Sequence, residues 1–307
     1  MGRRLLIGVI AAVAFVLGMV YAWRIAFADG TELLFDSGWW LVLLAPFLGV
    51  LAAGLTRRTA PVIEGDRVLR HDGPAMLEHW THGIGTLVLL VTGIALGAFF
   101  IPSLLSQQQV WAAMNVHFIA VVVFLFGTFY YGANAFLSRK RFREHLPTKN
   151  AFKFTVEHYG HLLGNKKYDM PPEEKYFESE KIAYLLALGS TALVIVTGLL
   201  KVAAHVFDVP VWIMGVVTPT HDVAMVAMGL FFVAHVLFGA ILPMGWPMLR
   251  SMFTGYLPLD NAKSAHSESS NVDLPTPGSP LISTTDPGTM PPPSTRLSSL
   301  MWTGMRS

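Results

Sequence analysis

Long uncharged stretches alternate along the chain with short polar segments, a pattern typical of a protein that crosses a membrane several times. A transmembrane helix needs about 20 mostly apolar residues. We predict a spanning helix in each of six stretches, of which the second is slightly short: Leu5–Trp23, Trp39–Leu55, Gly83–Phe100, Trp111–Leu137, Ile182–Leu200 and part of Trp212–Leu249. The predicted fold class is therefore all-α, an integral membrane helical bundle.

Prolines indicate where some of these helices begin and end. Pro102 is expected to end the third span and Pro243 the sixth. Thr218-Pro219 has the form of an N-cap followed by the first helical position, where proline is favoured. The sixth span is therefore predicted at about Thr220–Leu242.

The same pattern divides the chain into three parts. Residues 1–58 hold two N-terminal hydrophobic spans, residues 59–257 a four-helix domain, and residues 258–307 a tail rich in Pro, Ser and Thr, which predicts disorder. The first span also fits a cleaved secretory signal, because Arg3-Arg4 precedes it and Ala26-Phe27-Ala28 follows it, although its length favours a retained helix. The tail also fits a frameshifted end.

Composition supports the membrane interpretation and restricts the chemistry. Of 307 residues, 53% are hydrophobic and only 14% charged, against roughly 45–50% and 25% in soluble proteins, which excludes an ordinary soluble globule. The chain has no cysteine. This excludes disulfides, Cys-ligated iron–sulfur clusters, covalent c-type haem and thiol nucleophiles, so a metal here would need His, Met or oxygen ligands.

The distribution of charge predicts an orientation in the cell inner membrane. If all six spans cross, the N-terminus, residues 56–78 and 138–181 and the C-terminus share one side. That side carries all of the 22 Lys and Arg residues except Arg24 and Lys201, so the positive-inside rule makes it cytoplasmic. Basic segments such as Arg139–Arg143 are accordingly interpreted as cytoplasmic flanks, not as a nucleic-acid surface.

Histidines within the spans are the main candidates for function, because ionisable groups in a membrane are costly and rare. Six of the 11 histidines lie in hydrophilic segments or at a helix end and are interpreted as solvated: His71, His145, His158, His161, His205 and His266. Four others lie on the predicted spans: His79, His117, His221 and His235.

The positions of these four predict two pairs at different depths. His221 and His235 are 14 residues apart on one helix, which places them on the same face and about 21 Å apart. When the helix directions alternate, His117 lies near the depth of His221, and His79 near that of His235. We call His117 and His221 the outer pair, and His79 and His235, on the cytoplasmic side, the inner pair.

Such pairs would serve bis-imidazole ligation of two b-type haems stacked in a helical bundle. The four histidines are thus candidate iron ligands, with His82 as the rival of His79. Gly93 and Gly198, in matching Val-Thr-Gly contexts, could let a flat macrocycle approach the backbone, although helix packing explains them equally well. Lys201 could pair with a propionate of the outer haem or extend to the membrane surface.

Several motifs between residues 60 and 260 resemble the cytochrome b (gamma) subunit of membrane-bound formate dehydrogenases, within the wider group of hydrogenase-type dihaem cytochromes b. His79-Trp80 resembles the start of that family's first haem-binding helix, and Asn115–Phe118 its second helix. Lys175–Lys181 is similar to the entry to its third helix, and His221 and His235 reproduce the pair on its fourth.

The resemblance implies a four-helix domain with two haems b. It also implies an iron–sulfur subunit on the outer side and, through it, a molybdenum or tungsten catalytic subunit, in a complex that can form a higher oligomer. Electrons would enter at the outer pair and leave from the inner pair to menaquinone or ubiquinone near the cytoplasmic side. This chain would not itself oxidise formate. A hydrogenase or another molybdenum oxidoreductase is the alternative complex.

The quinone site implied by the resemblance differs from the family pattern. Phe177 stands where the family has Asn, and Glu180 replaces Gln. Candidate quinone contacts are His82, Tyr176, Glu180 and Lys181.

A non-haem membrane transporter or anchor is the alternative of another class, with histidines in proton relay or packing. Asp222 is the acidic residue best placed for a relay. Its predicted position in the first turn of the sixth helix is explained more simply as a favourable N-terminal charge.

Overall fold

The computed structural model describes residues 3–27, 32–56, 62–98, 100–137, 146–162, 164–165, 167–168 and 178–261. Its α-helices are α1 (Arg3–Ala26), α2 (Leu34–Ser37), α3 (Leu41–Leu55), α4 (Gly73–Leu96), α5 (Gln107–Leu137), α6 (Ala151–Leu162), α7 (Glu178–Val206), α8 (Val211–Val236) and α9 (Trp246–Thr254). Three short strands are β1 (Ile63–Glu64), β2 (Arg67–Leu69) and β3 (Tyr256–Pro258). Tyr176, His145, His266 and most of the predicted tail lie outside the described residues.

The prediction of a helical membrane bundle is confirmed. Among the described residues, four helices are long and apolar enough to cross a membrane: Gly73–Leu96, Gln107–Phe136, Glu178–Val206 and Val211–Ile241. The two N-terminal predictions correspond to shorter apolar helices at Ala12–Ala26 and Leu41–Leu55. The protein is therefore a multi-pass membrane protein.

Helix α4 begins with a side-chain cap. The Asp72 carboxylate accepts a hydrogen bond from the Ala75 backbone N–H at 3.0 Å, as an N-cap residue does. The helix consequently starts well before the uncharged run that identified the third span, and His79 lies inside its first turns.

The predicted start of the last spanning helix is wrong. Helix α8 begins at Val211, and Pro219 lies inside it. A proline removes only its own backbone N–H, and spanning helices tolerate this because ending the helix would leave further backbone groups unpaired in lipid. Thr220 Oγ1 also donates to the Val216 carbonyl at 2.7 Å. The helix continues to Val236 and then widens into a π-helical turn at Leu237–Ile241.

The chain forms two compact units, of which the first contains residues 1–57, 77–137 and 186–233. In it, α3 packs closely on α5 because Gly49 has no side chain: a Cβ there would lie 2.5 Å from the Phe126 carbonyl oxygen. Asn115 of α5 fixes the segment before α3, since its Oδ1 accepts from Leu34 N at 2.9 Å and its Nδ2 donates to Glu32 O at 3.1 Å. The N-terminal helices therefore belong to the same unit as His117.

The second unit contains residues 58–76, 138–185 and 234–307. Its described part includes an antiparallel sheet in the order β1-β2-β3, in which Val68 pairs with Leu257 and both are buried. The sequence pattern did not predict these strands, because two or three residues are too few to show an alternation of apolar and polar positions.

Candidate functional site

The outer histidine of α5 is held by a threonine of α4. Thr92 Oγ1 lies 2.7 Å from His117 Nδ1 and also 2.7 Å from the Val88 carbonyl oxygen. A carbonyl can only accept, so the hydroxyl proton points to Val88 and the hydroxyl oxygen accepts from the His117 ring. This network places the ring proton on Nδ1 and leaves the Nε2 lone pair for a metal.

The outer histidine of α8 is held in the same way by α7. Thr197 Oγ1 lies 2.8 Å from His221 Nδ1 and donates to the Leu193 carbonyl at 2.5 Å. The two contacts are separated by nearly equal lengths of chain, 25 residues for Thr92 and His117 and 24 for Thr197 and His221. Each helical hairpin, α4–α5 and α7–α8, thus presents one imidazole with a free Nε2.

A glycine follows each of these threonines and lies beside the ring. A Cβ on Gly198 would lie 3.4 Å from His221 Cε1, and a Cβ on Gly93 would lie 3.9 Å from His117 Cε1 and 3.1 Å from Met225 Sδ. Both glycines therefore keep space open at the edge of a candidate ligand. The matching Val-Thr-Gly segments noted in the sequence supply a hydrogen bond from Thr and space from Gly.

Two charged side chains of the first unit lie near the outer pair. Lys201 is a neighbour of both His117 and His221, and Asp222 is a neighbour of His221. Asp222 is buried and lies well inside α8, so its predicted place in a first helical turn is wrong, because the helix starts earlier than Pro219 indicated. The half-buried Lys201 already has the Asp222 carboxylate near it.

Two residues of helix α4, His79 and Thr92, lie at different depths in the first unit. His79 precedes Thr92 by 13 residues on this continuous helix, which corresponds to about 20 Å along its axis. His117 touches Thr92, so His79 lies at a different level from the outer pair. The distance is close to the one that separates His221 from His235 on α8.

The rival ligand His82 makes a ring contact of its own. Its imidazole stacks on Phe124, with ring centroids 4.7 Å apart and planes at 29°. A Cβ on Gly127 would lie 3.0 Å from the His82 backbone nitrogen, so α4 and α5 approach closely here. His79 also makes a ring contact, with Trp80 at a centroid distance of 5.3 Å, so the choice of His79 over His82 as the ligand stays a prediction.

The inner pair spans the two compact units, since His79 belongs to the first and His235 to the second. Its pairing therefore stays a prediction. His235 lies directly before the π-helical turn at Leu237–Ile241, and such turns are frequent at functional sites.

Two of the quinone candidates, Glu180 and Lys181, lie in the first turn of α7. Lys181 is 3% exposed, and its Nζ lies 2.8 Å from Glu178 Oε1. The other carboxylate oxygen of Glu178 accepts from Thr148 N at 2.9 Å. Glu180 is exposed. Lys181 therefore has a structural partner, and a role in quinone binding stays a prediction for both residues.

Replacing Lys181 with methionine is expected to destabilise the protein by about 3 kcal/mol, because it leaves the Glu178 carboxylate buried without its cation. Thermal unfolding of the purified protein in detergent, followed by circular dichroism, measures the effect. Lys153→Met is the control: Lys153 is exposed and lies 3.7 Å from the half-buried Glu157, so a change below about 1 kcal/mol is expected. Equal effects of the two substitutions would contradict a stabilising role of the buried pair.

His205 occupies the surface position predicted for it. Its Nδ1 lies 2.8 Å from Asp36 Oδ1, and its ring stacks on Phe35 with centroids 5.3 Å apart. It thus connects the end of α7 to α2 within the first unit and is not part of the outer pair.

Sequence reasoning did not identify Thr92 and Thr197 as site residues. The available signal was the repeated Val-Thr-Gly, each followed by a histidine 24 or 25 residues later. The repeat has only three residues, all of them common in apolar helices, so the sequence alone does not indicate a role for it before the contact is seen.

Comparison with known proteins identifies the family. Residues 70–255 match the family model described as prokaryotic cytochrome b561. No curated protein and no solved structure matches the chain. The matched range covers more than half of the 307 residues and every helix that carries a candidate ligand. The chain therefore belongs to the prokaryotic cytochrome b561 family.

Proposed function

We propose that the protein is a dihaem cytochrome b that carries electrons across the membrane between an external iron–sulfur subunit and the quinone pool. Family membership establishes the coarser statement, that it is a membrane cytochrome b that binds haem b and transfers electrons. The number of haems, the quinone and the partner complex belong to the proposal.

The observation that carries the proposal is the matched pair of threonine–histidine contacts on two helical hairpins of the first unit. Each contact presents an imidazole with its proton on Nδ1, and Gly93 lies beside both His117 and Met225, which is one turn after His221 on α8. His79 supplies a further candidate about 20 Å along α4. Two haems would require histidine ligands at two depths along the helices, as these positions provide.

The residues present fit a haem at the outer pair. His117 and His221 would hold the iron through Nε2, Gly93 and Gly198 would leave room for the macrocycle edge, and the half-buried Lys201 would balance a propionate. A bound haem b supplies a one-electron couple at its iron. The chain's own contribution is to fix the rings, exclude water with apolar helices and place positive charge beside the site.

The inner haem would be held by His79 and His235, with the quinone nearby. Of the quinone candidates, His82 lies on α4 and Glu180 and Lys181 lie in the first turn of α7, and Tyr176 is a candidate from the sequence alone. The basic segments of the sequence place the inner haem on the cytoplasmic side by the positive-inside rule. Electrons passing inward to a quinone that takes its protons from the cytoplasm would separate charge across the membrane.

The resemblance to formate dehydrogenase gamma subunits implies the external iron–sulfur partner, and the absence of cysteine is consistent with it. A chain without cysteine cannot hold Cys-ligated iron–sulfur clusters, so these would belong to another subunit. The residues at 79–80, 115–118, 175–181, 221 and 235 favour a formate dehydrogenase, with a hydrogenase or another molybdenum oxidoreductase as the alternative complex. Family membership argues against a non-haem transporter or anchor.

Purified protein is expected to contain two haems b per chain, because the histidines form two levels. A reduced-minus-oxidised spectrum with pyridine haemochrome quantification, set against protein concentration, measures this ratio. One haem per chain would contradict the dihaem proposal while leaving the family assignment intact. Subunits that co-purify from native membranes would then distinguish a formate dehydrogenase from a hydrogenase.

A further inference from the structure

The two threonine–histidine contacts are two copies of the same hydrogen-bond arrangement. In each copy, a threonine directs its proton to the carbonyl four residues back in its own helix and its oxygen lone pair to the ring of the following helix. The glycine after it leaves the ring edge uncovered. The two copies lie on different helical hairpins of the first unit.

This arrangement affects the electron-donor strength of each imidazole as well as its orientation. A hydroxyl that accepts from Nδ1–H makes the imidazole a better electron donor at Nε2. Greater donation stabilises ferric iron relative to ferrous iron and lowers the midpoint potential. A neutral hydroxyl acts more weakly than the carboxylate that orients many metal-bound histidines, so the two threonines would place the potential above that of a carboxylate-supported site.

We propose that Thr92 and Thr197 are positioning residues that together set the midpoint potential of one haem, the one bound by His117 and His221. The inference rests on the proposed function. It adds that two residues outside the metal-ligand set fix the tautomer and the donor strength of both histidines that would hold the outer haem, so that their effects would fall on the same redox centre.

Threonine-to-valine substitutions test the proposal, because valine keeps the shape and removes the hydroxyl. In Thr92→Val and in Thr197→Val, we expect a three- to tenfold rise in the ratio of reduced to oxidised outer haem at a fixed potential, where tenfold corresponds to about 59 mV for a one-electron couple. Both haems should remain bound. The low-field EPR signal of the oxidised outer haem should also shift, because a released ring can rotate.

Two further sets of variants separate the hydrogen bond from general disturbance. Thr92→Ser and Thr197→Ser keep the hydroxyl and should restore the potential of the unaltered protein. Thr86→Val is the matched control: this buried threonine of α4 donates to the His82 carbonyl at 2.8 Å, so its loss removes an equivalent helix bond without affecting an outer ring. It should leave the potential of the outer haem unchanged.

The outcomes are distinguishable in a redox titration of the full chain. A shift of the same component by both valine variants, reversed by serine, supports the proposal. If the two valine variants shifted different redox components, the claim that both threonines act on one haem would be overturned. If neither variant shifted a component while both haems were retained, the positioning role would be overturned and the dihaem function would stand. Unaltered protein without haem would overturn the proposed function itself.

Discussion

Replacing His221 with alanine is expected to remove one haem b per chain and to leave the second in place. The imidazole of His221 is held by Thr197 through Nδ1, which leaves Nε2 for the iron. His117→Ala should remove the same haem, since the two rings belong to one unit and are held by matching threonine contacts. Haem content per chain should fall from about two to about one in both variants.

Spectroscopy identifies which haem is lost. The component missing from the redox titration should be the same in His117→Ala and His221→Ala. His205→Ala serves as the control, because this surface histidine bonds to Asp36 and should retain both haems. If the two variants lost different haems, the outer pair would be wrong.

Replacing His235 with alanine is expected to remove the other haem and to spare the one held by the outer pair. His235 lies 14 residues after His221 on α8, which is about 21 Å further along the axis, too far for one iron to bind both. His79→Ala should give the same loss. Haem content and the remaining redox component measure the result.

The neighbouring histidine provides a matched comparison for this second prediction. His82 lies three residues after His79 on α4, and its ring is stacked on Phe124, so His82→Ala should keep both haems. Loss of a haem in His82→Ala but not in His79→Ala would assign the ligand to His82. A change in quinone reduction alone would support the role of His82 as a quinone contact.

The helical class of the fold and the candidate ligands could be predicted because both depend on local sequence. A spanning helix needs only a long apolar run, and a histidine in such a run is conspicuous because ionisable groups there are costly. The 14-residue spacing of His221 and His235 translates directly into depth, because the rise per residue of a helix is constant.

Boundaries and short elements were less predictable. Pro219 indicated a helix start, yet in a membrane the cost of unpaired backbone groups favours a continuous helix through the proline. Because α8 starts earlier than predicted, Asp222 lies in a buried position near Lys201 and His221 and not in a first helical turn. The three strands were missed because each has only two or three residues, and the pairing of β2 with β3 joins residues 67–69 to residues 256–258, far apart in the chain.

The sequence by itself determined that this is a membrane protein of apolar helices, predicted histidines as its metal ligands, and excluded Cys-ligated iron–sulfur clusters from this chain. Only the tertiary structure decided how two of those histidines are held. A hydrogen bond between Thr92 and His117, or between Thr197 and His221, depends on how neighbouring helices cross and on the length of the loop between them. No local sequence pattern specifies how these helices cross, so the hydrogen-bonding role of the two threonines can be recognised only in the packed structure.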